Sequence, residues 1–166
     1  VHSHINHLFA LLDLAARFKL RDVFVHAFLD GRDVPPDNAK EYFESLGRKL
    51  NDLGFGAVAT VMGRYYAMDR DRRWDRTERA YNAIVYGEGI LAGTPVEAVD
   101  LGYARGETDE FIKPTVLVDS AGLPVAKVSG GDSVIFYNFR PDRARQLTRA
   151  FVDKDFNGFS RKMGHP

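Results

Sequence analysis

Short apolar segments rich in β-branched and aromatic residues alternate along this chain with segments of helical periodicity, which limits the folds it can adopt. Residues 23–29, 57–62 and 134–139 predict buried strands: each is a short apolar run, and Val, Ile, Phe and Tyr fill the first and the third. Apolar residues recur every three or four positions in residues 5–20 and 74–86, as in amphipathic helices. This alternation predicts an α/β three-layer sandwich, with a mostly parallel or mixed sheet flanked by helices on both faces.

Proline and glycine mark the ends of further predicted elements. Pro35-Pro36 precede a helical pattern that stops at Gly54, and Thr94-Pro95 open a shorter helix. Another helix is predicted to follow residue 141, and Ser3 is the predicted N-cap of the first helix. The remaining predicted elements are short strands joined by turns, at residues 111–112, 116–118 and 124–126.

Composition excludes several classes of protein. The chain has 166 residues, a natural size for one domain. Its 23 basic and 23 acidic side chains give a formal charge of zero, which argues against a general nucleic-acid binder. The lack of cysteine excludes a disulfide scaffold and thiolate metal sites. No secretory or membrane-spanning pattern is present, so we expect a cytoplasmic protein without a membrane partner.

Both ends of the sequence predict a truncated domain. The chain starts at Val1 without a methionine and enters a helical pattern almost at once. Residues 156–166 form a loop-like stretch without a closing element. We therefore expect residues 1–166 to be a single partial domain of a longer polypeptide.

Arginine follows each of the three predicted strands where that strand ends. The carboxyl ends of parallel strands meet at one edge of an open α/β sheet, where such folds bind ligands. A single arginine is usually a surface residue or an ion-pair partner, but the repeated placement predicts a shared site. Guanidinium binds carboxylate or phosphate bidentately, so the predicted ligand is a small, doubly anionic metabolite. The residues predicted to converge are Arg32, Asp33, Arg64, Arg70, Arg140 and Arg143.

The sequence Asp30-Gly31-Arg32-Asp33 adds carboxylates to this predicted site. A carboxylate there can accept hydrogen bonds from substrate hydroxyls and can take a proton from one of them. The same residues also fit a turn with Gly31 at positive φ and an aspartate that caps the following helix. The two interpretations are compatible.

Three histidines, His2, His4 and His7, lie at the start of the first predicted helix. Imidazoles at this spacing can share a metal ion. No paired carboxylate or thiolate accompanies them locally, which favours helix-start packing or substrate contact instead.

Two alternatives come from other functional classes. A non-catalytic module that binds phosphorylated metabolites would keep the arginines but would not need Asp33. A binder of single-stranded nucleic acid would stack bases on Tyr65, Tyr66 and Trp74, but zero net charge argues against it. We therefore interpret these aromatic residues as core residues.

Five motifs, in this order along the whole chain, resemble the cofactor-independent (2,3-bisphosphoglycerate-independent) phosphoglycerate mutases. The motifs are Val1–His4 with His7, Asp30–Pro36, Gly63–Trp74, Lys113–Thr115 and Phe136–Arg143. The resemblance implies interconversion of 3-phosphoglycerate and 2-phosphoglycerate in glycolysis and gluconeogenesis.

In that family a phosphatase-like domain of the alkaline phosphatase superfamily carries a serine nucleophile and two Mn²⁺ ions, and a second domain holds the glycerate. The resemblance implies that this chain is most of the second domain, with the phosphatase-like domain of the same polypeptide as its partner. We expect the phosphoserine intermediate and the metal ligands to lie outside these residues. By itself the chain is therefore expected to bind no metal and to be inactive.

The resemblance also assigns roles to individual residues. Asp33 is the candidate general base that readies a hydroxyl to attack the phosphoserine. We expect Arg64 and Arg70 to bind the substrate carboxylate, and Arg140 and Arg143 to bind the phosphoryl oxygens. The full set of expected substrate contacts is His2, Arg32, Asp33, Arg64, Arg70, Arg140 and Arg143.

Overall fold

The computed structural model describes residues 2–164, which contain a four-stranded sheet and six α-helices. Val1, at the start of the first motif, and His165 and Pro166, at the end of the loop-like stretch, lie outside the described residues. In chain order the elements are α1 (Ile5–Arg17), β1 (Phe24–Leu29), α2 (Ala39–Leu53), β2 (Ala57–Gly63), α3 (Arg64–Ala67), α4 (Trp74–Tyr86), β3 (Ile90–Ala92), α5 (Pro95–Ala104), β4 (Thr115–Leu117) and α6 (Pro141–Val152).

The sheet is mixed, with strand order β1-β2-β4-β3. β1 and β2 are parallel, as are β3 and β4, whereas β2 and β4 are antiparallel. Leu29, the last residue of β1, lies opposite Gly63, the last residue of β2. The two strands therefore end at the same edge of the sheet, as parallel strands of an α/β fold are expected to do.

Helices cover both faces of the sheet, and each face has its own apolar core. On one face α1, α2 and α5 pack around Val25 and Val61. On the other face α3, α4 and α6 pack around Met62 and Val116. Neighbouring residues of one strand, such as Val61 and Met62, point to opposite faces and so join different cores. The predicted α/β architecture is confirmed.

Most of the predicted helices are confirmed, but the cap of the first one is different. α1 is capped by His4, whose ring accepts a hydrogen bond from the backbone N–H of Asn6, rather than by Ser3. The His4 N–H in turn donates to Nδ1 of His7. Between residues 2 and 164, no helix combines the length and apolar character that a bilayer crossing requires.

Residues 134–139 were predicted as a strand, and that prediction is wrong. Strand propensity reflects how a segment fits a paired, pleated surface, and no strand within residues 2–164 pairs with this segment. The segment is instead held by individual contacts with residues distant in sequence. Phe136 packs against Phe28 with 5.6 Å between ring centroids, and the N–H of Phe139 donates to the carbonyl of His2 at 2.7 Å.

The region between α5 and α6 was predicted only in part. Strand β4 confirms the prediction at residues 116–118, but residues 111–112 are not a strand. Asp109–Phe111 form a 3-10 turn, and the Asp109 carboxylate caps α2. Residues 124–126 contribute a single bridge to Val118 rather than a strand.

Candidate functional site

The ends of β1 and β2 place Asp30 and Arg64 side by side. Leu29 and Gly63, the last residues of the two strands, are paired. Asp30 and Arg64, which directly follow them, therefore lie next to each other at the edge of the sheet. Arg64 Nη1 donates to Asp30 Oδ1 at 2.6 Å, and only 3% of the arginine is exposed. A Cβ at Gly63 would overlap the backbone carbonyl of Glu110, so only glycine fits directly before the arginine.

The turn after β1 brings Asp33 to the same arginine. Asp30 Oδ1 accepts hydrogen bonds from the N–H groups of Arg32 and Asp33, each at 3.3 Å. Gly31 has φ +62°, which glycine adopts readily, and a Cβ there would lie 2.6 Å from the backbone nitrogen of Glu110. The turn with Gly31 at positive φ is therefore confirmed.

Asp33 in turn lies between a histidine and an arginine. Its Oδ2 is 3.3 Å from Nε2 of His2 and 3.5 Å from Nη1 of Arg64. Burial of Asp30 acts to raise its pKa, but the hydrogen bond from Arg64 and those from backbone N–H groups lower the pKa overall. Asp30 is therefore ionised at physiological pH. We call His2, Asp30, Asp33 and Arg64 the acidic half of the site.

The imidazole of His2 is buried and has an unsatisfied hydrogen-bonding capacity. Only 8% of the residue is exposed, and neither ring nitrogen has a hydrogen-bond partner within residues 2–164. The approach to Asp33 is within ion-pair distance but does not have hydrogen-bond geometry. Burial and the positive charge of Arg64 lower the pKa of His2, so the ring is neutral at pH 7. A neutral imidazole can donate from one nitrogen and accept at the other.

Opposite this group lies a cluster of guanidiniums that shares one carboxylate. Asp142 accepts hydrogen bonds from Arg70 Nη1 at 3.0 Å and from Arg140 Nε at 2.9 Å. These bonds lower the pKa of Asp142 to about 2, so it stays ionised at any physiological pH. We call Arg70, Arg140, Arg143 and Asp142 the basic half of the site.

Arg143 shows that the two halves are close together. Its Nη1 donates to the carbonyl of Met68 at 3.0 Å, and its Nε is buried without a partner among the described residues. Burial and the positive charges of three neighbouring guanidiniums lower its pKa. Those guanidiniums belong to Arg64, Arg70 and Arg140. The structure thus brings these four arginines, which come from separate loops, close together.

Arg32 lies at the rim and does not join this cluster. Its side chain is 63% exposed, and Nη1 is 3.6 Å from Oε1 of Glu110. Such an exposed ion pair contributes little to stability. The side chain therefore remains free to turn toward a ligand from the solvent side.

Comparisons with known proteins agree with this geometry. A family model described as the BPG-independent PGAM N-terminus matches residues 1–166. This chain belongs to that family. The resemblance found in the sequence is thereby confirmed.

Two curated relatives of this family member are named 2,3-bisphosphoglycerate-independent phosphoglycerate mutase. The one from Desulforudis audaxviator is 67% identical over 97% of this chain and 31% of the relative. The one from Moorella thermoacetica is 60% identical over 99% of this chain and 32% of the relative. The chain thus spans about a third of the length of the relatives it matches.

A solved structure supports the same assignment. Leishmania mexicana phosphoglycerate mutase, determined at low cobalt concentration, matches with a TM-score of 0.92 and 32% identity. The match covers 96% of this chain and 30% of that one.

The sequence did not indicate which residues hold the arginine-rich loop, residues 68–73, in place. Asp69 is buried, and its Oδ2 accepts hydrogen bonds from the N–H groups of Asp71 and Arg73. Gln146, on α6, donates to the same Oδ2 at 2.8 Å and accepts from the N–H of Arg72 at 2.7 Å. The position of Asp69 within a run of arginines was a weak signal that it holds the loop, but no local pattern indicated such a role for Gln146.

The aspartate that caps α2 was also unexpected. Asp109 Oδ2 accepts hydrogen bonds from the N–H groups of Asn38 and Ala39, and its Oδ1 accepts from the hydroxyl of Tyr103 at 2.6 Å. The prediction that an aspartate of the Asp30–Asp33 turn caps this helix is therefore wrong. Both turn aspartates are available to the site instead.

The other residues named as candidates from the sequence make contacts that stabilise the fold instead. His4 and His7 cap α1, so of the three N-terminal histidines only His2 reaches the site. Among residues 2–164, no three His, Asp or Glu side chains are grouped as a metal centre requires. Tyr66 is buried and Tyr65 packs against it, which agrees with their interpretation as core residues.

Proposed function

We propose that this chain is the glycerate-holding part of a 2,3-bisphosphoglycerate-independent phosphoglycerate mutase that interconverts 3-phosphoglycerate and 2-phosphoglycerate. The names of its relatives support this reaction, and the chain accounts for about a third of their length. The proposed setting is glycolysis and gluconeogenesis in the cytoplasm. The proposed partner is the phosphatase-like part of the same polypeptide.

One observation carries the proposal: the site combines a basic half with an acidic half. The basic half has three guanidiniums against one carboxylate, and Arg143 has no carboxylate partner of its own within residues 2–164. The acidic half has two carboxylates against one guanidinium. A phosphoglycerate offers partners to both halves: its carboxylate and its phosphate carry the negative charge that guanidiniums bind, and its one free hydroxyl can donate to a carboxylate.

The basic half is proposed to bind the anionic groups of the substrate. Arg140 and Arg143 are assigned to the phosphoryl oxygens and Arg70 to the carboxylate, because charge-assisted hydrogen bonds each contribute about 1.5 to 3 kcal/mol. Arg64 also belongs to the proposed carboxylate site. Its Nη1 holds Asp30 and Asp33, and its other N–H groups have no partner within residues 2–164.

The acidic half is proposed to hold and activate the glycerate hydroxyls. Asp33 is partly exposed and held by Arg64, so its carboxylate is placed to accept a hydroxyl proton. His2 is neutral and unpartnered, so it can donate to a hydroxyl oxygen while Asp33 accepts. Arg32 is proposed to contact the ligand from the rim. A retained glycerate competes with water for the phosphoryl group through its high effective molarity.

The serine nucleophile and the two Mn²⁺ ions are proposed to belong to the remainder of the polypeptide. The described residues do not fit a metal centre, since no suitable group of His, Asp and Glu side chains exists within residues 2–164. The role of this chain is therefore to bind, orient and deprotonate the glycerate.

Calorimetric titration with 3-phosphoglycerate tests the proposed site. Arg140→Ala removes a guanidinium of the basic half and should weaken binding at least about tenfold, because a charge-assisted bond is lost. Arg48→Ala is the matched control, since Arg48 is exposed on α2 and bonds only to Ser45 among the described residues. Equal affinity in both variants would rule out the basic half as the binding site.

A further inference from the structure

A second basic cleft lies beside the proposed glycerate site and shares Arg70 and Asp142 with it. It has a volume of about 260 Å³ and lies between α6 and the arginine-rich loop. The lining residues that matter here are Arg70, Arg72, Trp74, Asp142, Arg145 and Arg149.

The cleft carries an excess of positive charge. Four guanidiniums line it, against the carboxylates of Asp71 and Asp142. Asp142 is already shared by two arginines of the glycerate site. Arg72 and Arg145 have no ion-pair partner within residues 2–164, and Arg149 pairs outside the cleft with Asp153. An anion bound in the cleft would therefore reduce the electrostatic repulsion between guanidiniums that the surrounding carboxylates do not neutralise.

Arg145 and Arg149 are four residues apart on α6, so their side chains are neighbours on one helix face. Like charges at this spacing destabilise a helix slightly. The same spacing presents two guanidinium groups to one ligand, which suits a phosphate group with several anionic oxygens.

The opposite wall of the cleft is fixed in position. Arg72 has φ +58°, a conformation that is unfavourable for a residue with a side chain. It is held there by the buried Oε1 of Gln146, which accepts from its N–H at 2.7 Å. Gln146 is itself anchored by hydrogen bonds to Asp69 and Thr77. The loop is therefore preorganised, which lowers the cost of binding.

We propose that this cleft is a second anion site, which binds a small ligand with a multiply charged phosphate or diphosphate group. The two sites touch through Arg70, which lines the cleft and pairs with Asp142 at 3.0 Å. A ligand in the cleft competes with Asp142 for Arg70. Occupancy of the cleft therefore alters an arginine that the glycerate site uses.

Trp74 makes the cleft directly observable, because it is the only tryptophan in the sequence and lines the cleft. Inorganic pyrophosphate is titrated at constant ionic strength while the indole N–H resonance of Trp74 is followed. We expect a saturable shift. In the double variant Arg145→Ser, Arg149→Ser, we expect the apparent Kd to rise at least about tenfold, because two charge-assisted contacts are lost.

The matched control removes two exposed arginines from the helices on the other face of the sheet, as Arg17→Ser, Arg48→Ser. It should titrate like the unaltered protein. All four positions are exposed, so both double variants are expected to fold. A shift that does not saturate, or an equal loss in both double variants, would show that the effect is one of general surface charge and would overturn the proposal.

A further arm separates the two sites. If pyrophosphate bound in the glycerate site, its binding would be lost in Arg140→Ala and retained in the double variant Arg145→Ser, Arg149→Ser. That outcome would also overturn the proposal. The expected result is the reverse pattern, with Arg145→Ser, Arg149→Ser retaining its affinity for 3-phosphoglycerate. Because the Trp74 readout needs no 3-phosphoglycerate, failure of the proposed function leaves this test intact.

Discussion

The acidic and basic halves of the candidate site reach the same edge of the sheet by different routes. In the acidic half, the pairing of Leu29 with Gly63 fixes Asp30 against Arg64, so backbone hydrogen bonds of two parallel strands set the geometry. The basic half has no strand behind Arg140 and depends on side-chain bonds through Asp142 and Gln146. A site can thus combine a part held by the sheet with a part held by side chains.

This contrast has a functional consequence. Backbone pairing fixes Asp30 and Arg64, and these two residues hold Asp33, the proposed base, where small displacements would slow the reaction strongly. The guanidiniums proposed to bind anions tolerate more movement, because charge attraction is less directional than proton transfer. We therefore expect the acidic half to govern the chemical step and the basic half to govern affinity.

The strongest test of that division is Asp33→Asn in the full-length polypeptide. Loss of a general base typically costs a factor of about 10² to 10⁴ in rate, so the mutase reaction should fall by that amount. Formation of phosphoserine should persist, because the proton is taken only in the following transfer. Both steps are measured by rapid quench with labelled substrate.

Asp37→Asn is the control for this variant, since Asp37 is exposed in the same loop. It should leave both steps unchanged. Equal loss of phosphoserine formation and of mutase activity in Asp33→Asn would contradict the role of Asp33 as base.

Gln146→Leu tests whether the basic half can be loosened separately. The change leaves Asp69 and the N–H of Arg72 without their buried partner, so the free energy of unfolding should fall by about 1 to 3 kcal/mol. Hydrogen exchange should show faster exchange at Arg72, and unchanged exchange at the N–H of Asp33.

Thr148→Ala, at an exposed position of the same helix, is the control and should alter neither quantity. If the amide of Asp33 lost as much protection as that of Arg72, the two halves would not be independently supported.

A smaller effect is expected from pH, and it should act on the strands behind the acidic half. His26 of β1 is hydrogen-bonded to Thr60 of β2 at 2.9 Å, and burial lowers its pKa to about 4. The unfolded chain binds a proton near pH 6.5, so stability is full above that value and falls as pH drops toward 4. Between pH 7 and 5.5 the expected loss is about 1 kcal/mol.

Urea unfolding at several pH values measures this dependence, and His26→Gln should abolish most of it. The ion pair between Arg70 and Asp142 should persist over the same range, because the pKa of Asp142 is about 2. An unchanged pH slope in His26→Gln would show that another group is responsible.

Local patterns predicted the acidic half better than the basic half. Helical periodicity and apolar runs depend on neighbouring residues, so α4, β1 and β2 could be predicted from the sequence. The parallel pairing of β1 and β2 then placed Arg64 beside the Asp30 turn. The strand predicted at residues 134–139 was wrong, because a strand requires a pairing partner and no local pattern reveals whether one is present.

The supporting side chains could not be predicted for a related reason. Gln146 bonds to Arg72 and Asp109 bonds to Ala39, partners more than 65 positions away in sequence. A glutamine in a helix or an aspartate in a loop carries no signal of such a bond. Arg64 was identified because arginine after a strand has a recognisable meaning at a sheet edge. Arg140 and Arg143 were identified by the same rule, although the segment before them is not a strand in the structure.

A crystal structure of the protein with 3-phosphoglycerate tests the central claim most directly. The claim is that arginines from separate segments serve one ligand. It predicts a single bound molecule in contact with Arg70, Arg140 and Arg143, with a hydroxyl within hydrogen-bond distance of Asp33. A ligand that contacts only one of these segments, or that lies away from this edge of the sheet, would contradict it.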